Sequence, residues 1–172
     1  SIIALSDIPM FITPGNHDQV ATSTSVPRNV EAFKKIFGPL KYSFNRGKVH
    51  FVGMDNVIYT NADSYSAGFT NEQVEWLRSD LEHVSKDKMI ILMYHIPLRG
   101  TTTANIGNVL NLMKDYAEVH LMAGHTHYNE NYVNNTYNAF EHIHGAVCGA
   151  WWHSNINGDG APNGYGIYDI KG

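Results

Sequence analysis

Three short clusters hold the residues whose types and spacing could do chemistry: Gly15-Asn16-His17-Asp18, His95, and Gly124-His125-Thr126-His127. Imidazole nitrogens and carbonyl-type oxygens are ligands for divalent transition metals, and a free imidazole is the side chain best suited to move a proton near neutral pH. His125 and His127 stand two residues apart. On extended backbone their side chains would lean the same way, with Cα atoms roughly 7 Å apart. Ions of a paired hydrolytic site sit about 3.5–4 Å from one another, so each imidazole can ligate one of them. Gly124 allows close backbone approach. Asn16 offers a neutral amide oxygen, while its neighbour His17 projects to a different side and stays available to a substrate, with Asp18 placed to orient it.

Each cluster follows an apolar run, at residues 10–13, 89–94 and 119–123. Read as buried strands, these would hold the clusters rigidly. In open α/β sheets the ligand site lies outside the carboxyl ends of the strands, so the three clusters should converge. Between them, residues 26–37 read as a helix stopped by Gly38-Pro39. Residues 42–44 and 49–54 read as a hairpin around Asn45-Arg46-Gly47. Thr70 and Gln73 form a capping box, and Phe69 with Val74 a hydrophobic staple, for a helix over 71–84. Val74, Leu77, Leu81 and Val84 give that helix one apolar face. A further helix over 105–116 completes α/β order. After Gly124, alternating Asn- and Tyr-rich segments at 128–134, 137–144, 145–150 and 164–170 predict a second, largely antiparallel sheet.

At 172 residues, 43% of them hydrophobic and 16% charged, the chain has the length of one domain and is too apolar for disorder. The longest apolar run, 89–98, contains His95 and falls short of the roughly 18 residues a membrane span needs. A net charge of −4 without any Lys/Arg cluster excludes a protein that grips long nucleic acid by its phosphates, so the expected partner is small. One cysteine, Cys148, excludes an internal disulfide framework and a Cys-rich zinc module. Ten histidines are the unusual feature. The chain opens at Ser1 with no charged-then-apolar leader, so a natural start is expected upstream.

Taken together, the three clusters resemble the motifs of the calcineurin-like metallophosphoesterases. The resemblance extends over Tyr42-Ser43-Phe44, residues 49–55 and Gln73-Val74-Glu75-Trp76-Leu77, and so over nearly the whole chain. The segments Cys148-Gly149-Ala150-Trp151-Trp152 and 159–165 look like the end of the catalytic domain in multidomain, secreted bacterial members, which implies a secreted or periplasmic location. The resemblance implies an α/β fold, a sandwich of two mixed β-sheets flanked by helices, and hydrolysis of phosphomonoesters or phosphodiesters. The cofactors it implies are two divalent ions whose bridging water attacks phosphorus; mixed nitrogen and oxygen ligands suit manganese, iron, zinc or nickel.

Carried over residue by residue, Asn16, His95 and His125 would ligate one metal, His127 the other, and His17 would be the catalytic histidine beside Asp18. One departure limits this. The family's opening Asp-x-His and Gly-Asp-x-x-Asp, which supply most ligands of one metal and the bridging carboxylate, are absent from these residues. By position they would precede Ser1, so the chain reads as a single domain, 1–172, forming the carboxyl-terminal part of a catalytic domain and missing its N-terminal strands, about 30 residues or more. It is expected to bind at most one ion loosely and to hydrolyse little alone.

Blander readings stand beside these. A lone buried histidine more often hydrogen-bonds within a core than binds metal; for His95 the joint presence of the other clusters reverses those odds. His50, His83, His120, His142 and His144 lack such context and read as surface or strand residues. His142 and His144 repeat the His-x-His spacing, but alternation along one strand explains it. Trp151, Trp152 and His153 could line the substrate mouth or pack under a loop. The competing function is a non-catalytic binding module on the same fold. A nuclease acting on long duplex DNA lacks the basic groove it would need.

Overall fold

Side-chain patterning and turn chemistry together build one large sheet, seen in a computed structural model that describes residues 7–23, 27–99, 104–149 and 153–171. In chain order the elements are α1 (Glu31–Phe37), β1 (Lys41–Arg46), β2 (Val49–Met54), β3 (Val57–Tyr59), β4 (Tyr65–Ala67), α2 (Asn71–Leu81), β5 (Met89–Met93), α3 (Ile106–Met113), β6 (Glu118–Ala123), β7 (Glu130–Asn134) and β8 (Ala139–Ile143). The fold is mixed α/β: a six-stranded sheet in the order β1-β2-β5-β6-β8-β7, a two-stranded sheet β3-β4, and helices. Strands β2, β5, β6 and β8 run parallel, and β1 and β7 are antiparallel edges.

The expected hairpin forms, with Gly47 at φ +57° in its turn. The capping box forms too: Gln73 N donates to Thr70 Oγ1 at 3.2 Å and Thr70 N to Gln73 Oε1 at 2.8 Å. Helix α2 ends at Leu81 and continues only as a turn through Val84. Val74, Leu77 and Leu81 of α2 and Ile106, Val109, Leu110 and Met113 of α3 are buried in one core with Val52, Ile90, Leu92, Val119, Leu121 and Ile143 of the sheet. Burial of that apolar surface, at roughly 25 cal/mol per Å², is what holds the strand ends in place.

Three expectations need correction. Residues 10–13 form no strand: Met10 and Phe11 are 50% and 52% exposed, and among the described residues no strand pairs with them. Ring stacking holds this segment instead, Phe11 on Phe44 at 4.1 Å and Phe44 on Phe51 at 4.9 Å. Helix α1 starts five residues later than expected, because Asn29 is held extended by a bridge to Val20; the expected start at residue 26 lies outside the described residues. Segments 145–149 and 164–170 form no strands, and β7 and β8 add to the first sheet, because the edge of β6 accepts β8 in parallel while Ala139, Glu141 and Ile143 continue its buried face. His50, read as a surface or strand residue, does lie on a strand, β2, where it is 2% exposed and bonded to Asp80 at 2.8 Å and Asn45 at 3.2 Å.

The loop after β5 is anchored by Glu141, which is 1% exposed on β8. Its carboxylate accepts the Tyr94 hydroxyl at 2.5 Å, Leu98 N at 2.6 Å and Arg99 N at 3.0 Å. Burial and that neighbouring carboxylate hold the Tyr94 hydroxyl protonated well above the usual tyrosine range. No helix among the described residues is long and apolar enough to cross a membrane.

Candidate metal centre

His95 follows β5, and Gly124 through His127 follow the adjacent parallel β6, so both clusters leave the same end of the sheet. The strand ends are tied together, Gly124 N donating to His95 O at 3.0 Å. Asn16 arrives from outside the sheet on a single 3-10 turn, Asn16–Asp18. Asp18 closes that turn by accepting Gly15 N at 2.7 Å. Gly15 is the close-approach position, since a Cβ there would lie 3.0–3.2 Å from the His95 ring.

The turn delivers Asn16 Oδ1 to 2.8 Å from His95 Nε2, and His125 Nδ1 lies 3.1 Å from that same nitrogen. One proton on His95 Nε2 can satisfy Asn16 or leave the lone pair to accept from His125, not both. Three lone-pair donors from three distant stretches thus crowd together. A divalent ion held about 2.1 Å from each donor in octahedral geometry keeps neighbouring donors about 3 Å apart, so the spacing suits one such ion. Among the described residues no three or more His, Cys, Asp or Glu side chains form a metal-binding group; the third donor beside His95 and His125 is the amide of Asn16.

His127 and His17 belong to the same neighbourhood. Both act on the charge of His95 and of His125, and His17 is exposed while Asn16 is buried. The expected extended backbone through the His-x-His pair is not found. His125 and His127 take φ +69° and +57°, with Thr126 N bonded back to Gly124 O at 2.8 Å. Left-handed backbone costs a non-glycine residue of order 1–2 kcal/mol, and here two such histidines flank one residue. His153 is exposed, and among the described residues no hydrogen bond or ring contact ties it to the imidazoles. Trp151 and Trp152 lie outside the described residues.

Burial first, and then the neighbouring imidazoles of His125, His17 and His127, bring the His95 pKa down to about 4. Burial, then His127 and His17, lowers that of His125. Both rings are therefore neutral at pH 7, as ligation requires. The stability consequence has a definite sign. His95 binds its proton less readily folded than unfolded, so stability is full above about 6.5 and is lost as pH falls toward 4. Asp55, at the end of β2, does the opposite: burial raises it to about 6 against the Val57 N–H it accepts, so its contribution falls as pH rises from 3.8 through 6. In metal-free urea unfolding, Asp55→Asn should be more stable than wild type by a margin that grows between pH 4 and 6 and is constant above. A margin independent of pH would contradict the burial assigned to Asp55.

Sequence reading missed two kinds of residue here. Asn56, fully buried, accepts His95 N at 3.0 Å and Ile96 N at 2.9 Å on Oδ1 and donates to Ile96 O at 2.7 Å, which fixes the backbone that carries His95. Tyr59 donates to Asn16 O at 2.9 Å, and Tyr65 accepts Asn16 Nδ2 at 3.2 Å. The hairpin bearing the two tyrosines had a signal: apolar and aromatic residues flanking Asn61-Ala62-Asp63-Ser64.

Comparison with known proteins bears on this geometry. Residues 1–129 match the family model of the calcineurin-like phosphoesterases, and residues 141–172 match that of the C terminal of calcineurin-like phosphoesterases. An acid phosphatase type 7 of Danio rerio is 28% identical over 103 residues, 53% of this chain and 22% of that protein. A probable glycerophosphodiester phosphodiesterase GpdQ of Arcobacter nitrofigilis is 24% identical over 134 residues, 73% of this chain and 48% of that protein. The chain thus spans about a fifth and about half the length of these two relatives.

Proposed function

The chain belongs to the calcineurin-like phosphoesterase family, and on that premise we propose that it takes part in metal-dependent hydrolysis of phosphomonoesters or phosphodiesters. Asn16, His95 and His125 hold one divalent ion, and His127 faces a second. The observation that supports this reading is the contact of Asn16 Oδ1, His95 Nε2 and His125 Nδ1 at cation-shell spacing. When bound, divalent ions neutralise the phosphoryl oxygens and lower the pKa of water. The ligands are neutral, so they leave that positive charge undiminished for an anionic ester. His17, exposed beside them, donates a proton to the leaving oxygen or steadies its developing charge. Asp18 acts through the turn that presents His17. Lining of the substrate mouth by Trp151, Trp152 and His153 rests on their place after the last metal motif. A relative named as a phosphatase and another named as a phosphodiesterase support esters of either kind as substrates.

Alone, the 172 residues offer two imidazoles and an amide to one ion and a single imidazole to the other, without the family's carboxylate motifs. We expect loose binding of at most one ion and little or no hydrolysis. Equilibrium dialysis with manganese or zinc, followed by an aryl phosphate assay of the same sample, tests this; robust turnover by these residues would refute it.

A further inference from the structure

Tyr65 stands against the candidate centre with no part in the reading above. It pairs directly with Tyr59 across the β3–β4 hairpin, their ring centroids 5.1 Å apart, and the two hydroxyls grip Asn16 at both of its polar ends. Tyr59 donates to the main-chain carbonyl, and Tyr65 Oη accepts from the side-chain Nδ2. The Tyr65 ring also meets His125 edge-on at 5.9 Å, and the residue is 38% exposed. Its own hydroxyl hydrogen has no acceptor among the described residues.

From this juxtaposition, and resting on the metallophosphoesterase reading, we propose that Tyr65 is an anion-reading residue: its hydroxyl donates to a phosphoryl oxygen and thereby holds the Asn16 amide in its metal-facing orientation. The coupling follows from hydrogen-bond accounting. A carboxamide presents oxygen at one end and N–H groups at the other. A free tyrosine hydroxyl tolerates both orientations, accepting from Nδ2 or donating to Oδ1. Once its hydrogen is taken by a phosphoryl oxygen, the hydroxyl can only accept. Asn16 must then present Nδ2 to Tyr65, which leaves Oδ1 toward His95, where it can serve a cation. Anion binding and metal binding therefore reinforce each other through one hydroxyl.

The test compares wild type with Tyr65→Phe, which keeps the ring against Tyr59 and His125 and removes only the hydroxyl. Cobalt(II) is titrated by its absorption spectrum with and without inorganic phosphate, and phosphate is titrated calorimetrically into cobalt-saturated protein. Loss of a hydrogen bond to a charged group predicts phosphate affinity about tenfold or more weaker in Tyr65→Phe. By linkage, the factor by which phosphate tightens cobalt binding should be smaller in the variant than in wild type. Equal phosphate affinity in the two proteins overturns the proposal and leaves the metal centre standing. Equal weakening of cobalt binding with and without phosphate also overturns it, because that pattern marks a merely structural role. If wild type binds no cobalt at His95 and His125, the metal-centre reading fails and the role of Tyr65 falls with it.

Discussion

In a form of this protein that turns over phosphoesters, His17→Ala should lower kcat by about 10²–10⁴-fold, the contribution typical of a general acid or base, while divalent metal remains bound. Asn16→Ala and His125→Ala should do the reverse, losing metal first and turnover as a consequence. The separation follows from placement. Asn16 is buried with its amide oxygen on His95, and His125 touches the same nitrogen, whereas His17 is exposed on the turn beside them. Metal content by atomic absorption, measured on the same samples as kcat, checks the split. Equal metal loss in all three variants would remove the separate role given to His17.

Glu141→Leu should destabilise the fold by about 3–5 kcal/mol, a large share of the total stability of an ordinary domain. The substitution leaves the Tyr94 hydroxyl, Leu98 N and Arg99 N without the carboxylate they share, at a position that is 1% exposed. Each stranded donor costs of order 1–3 kcal/mol. The same carboxylate pins the loop that begins at His95, so metal affinity should fall with stability. Glu141→Gln keeps one oxygen for Tyr94 and Leu98 N but turns an NH₂ toward Arg99 N, and should lie between the two. Urea unfolding monitored by tryptophan fluorescence checks the order, and a leucine variant within about 1 kcal/mol of wild type would show that water replaces the carboxylate.

Much of this was legible before any coordinates. Thr70 and Gln73 announced α2 because a capping box is a local exchange of hydrogen bonds between residues three apart. Residues 89–94 announced a buried strand, found as β5 over 89–93, because a strand covered on both faces has no polar side to show. Glu141 was not legible, since alternation along 139–143 says that two faces differ but not which one is buried. The strand expected at residues 10–13 failed for a related reason: an apolar run can be satisfied by ring stacking as well as by a ladder, and Phe11 found Phe44.

Local chemistry in the chain itself determined the capped helix, the glycine-turned hairpin and the apolar strands at 89–93 and 118–123, because each depends on neighbours a few positions apart. Tertiary structure alone decided that β8 joins β6, that His125 and His127 turn left-handed, and that Tyr59, Tyr65, Asn56 and Glu141 support the site. Those outcomes depend on which hydrogen-bond donor meets which acceptor across tens of residues. Sequence spacing carries no term for such a meeting.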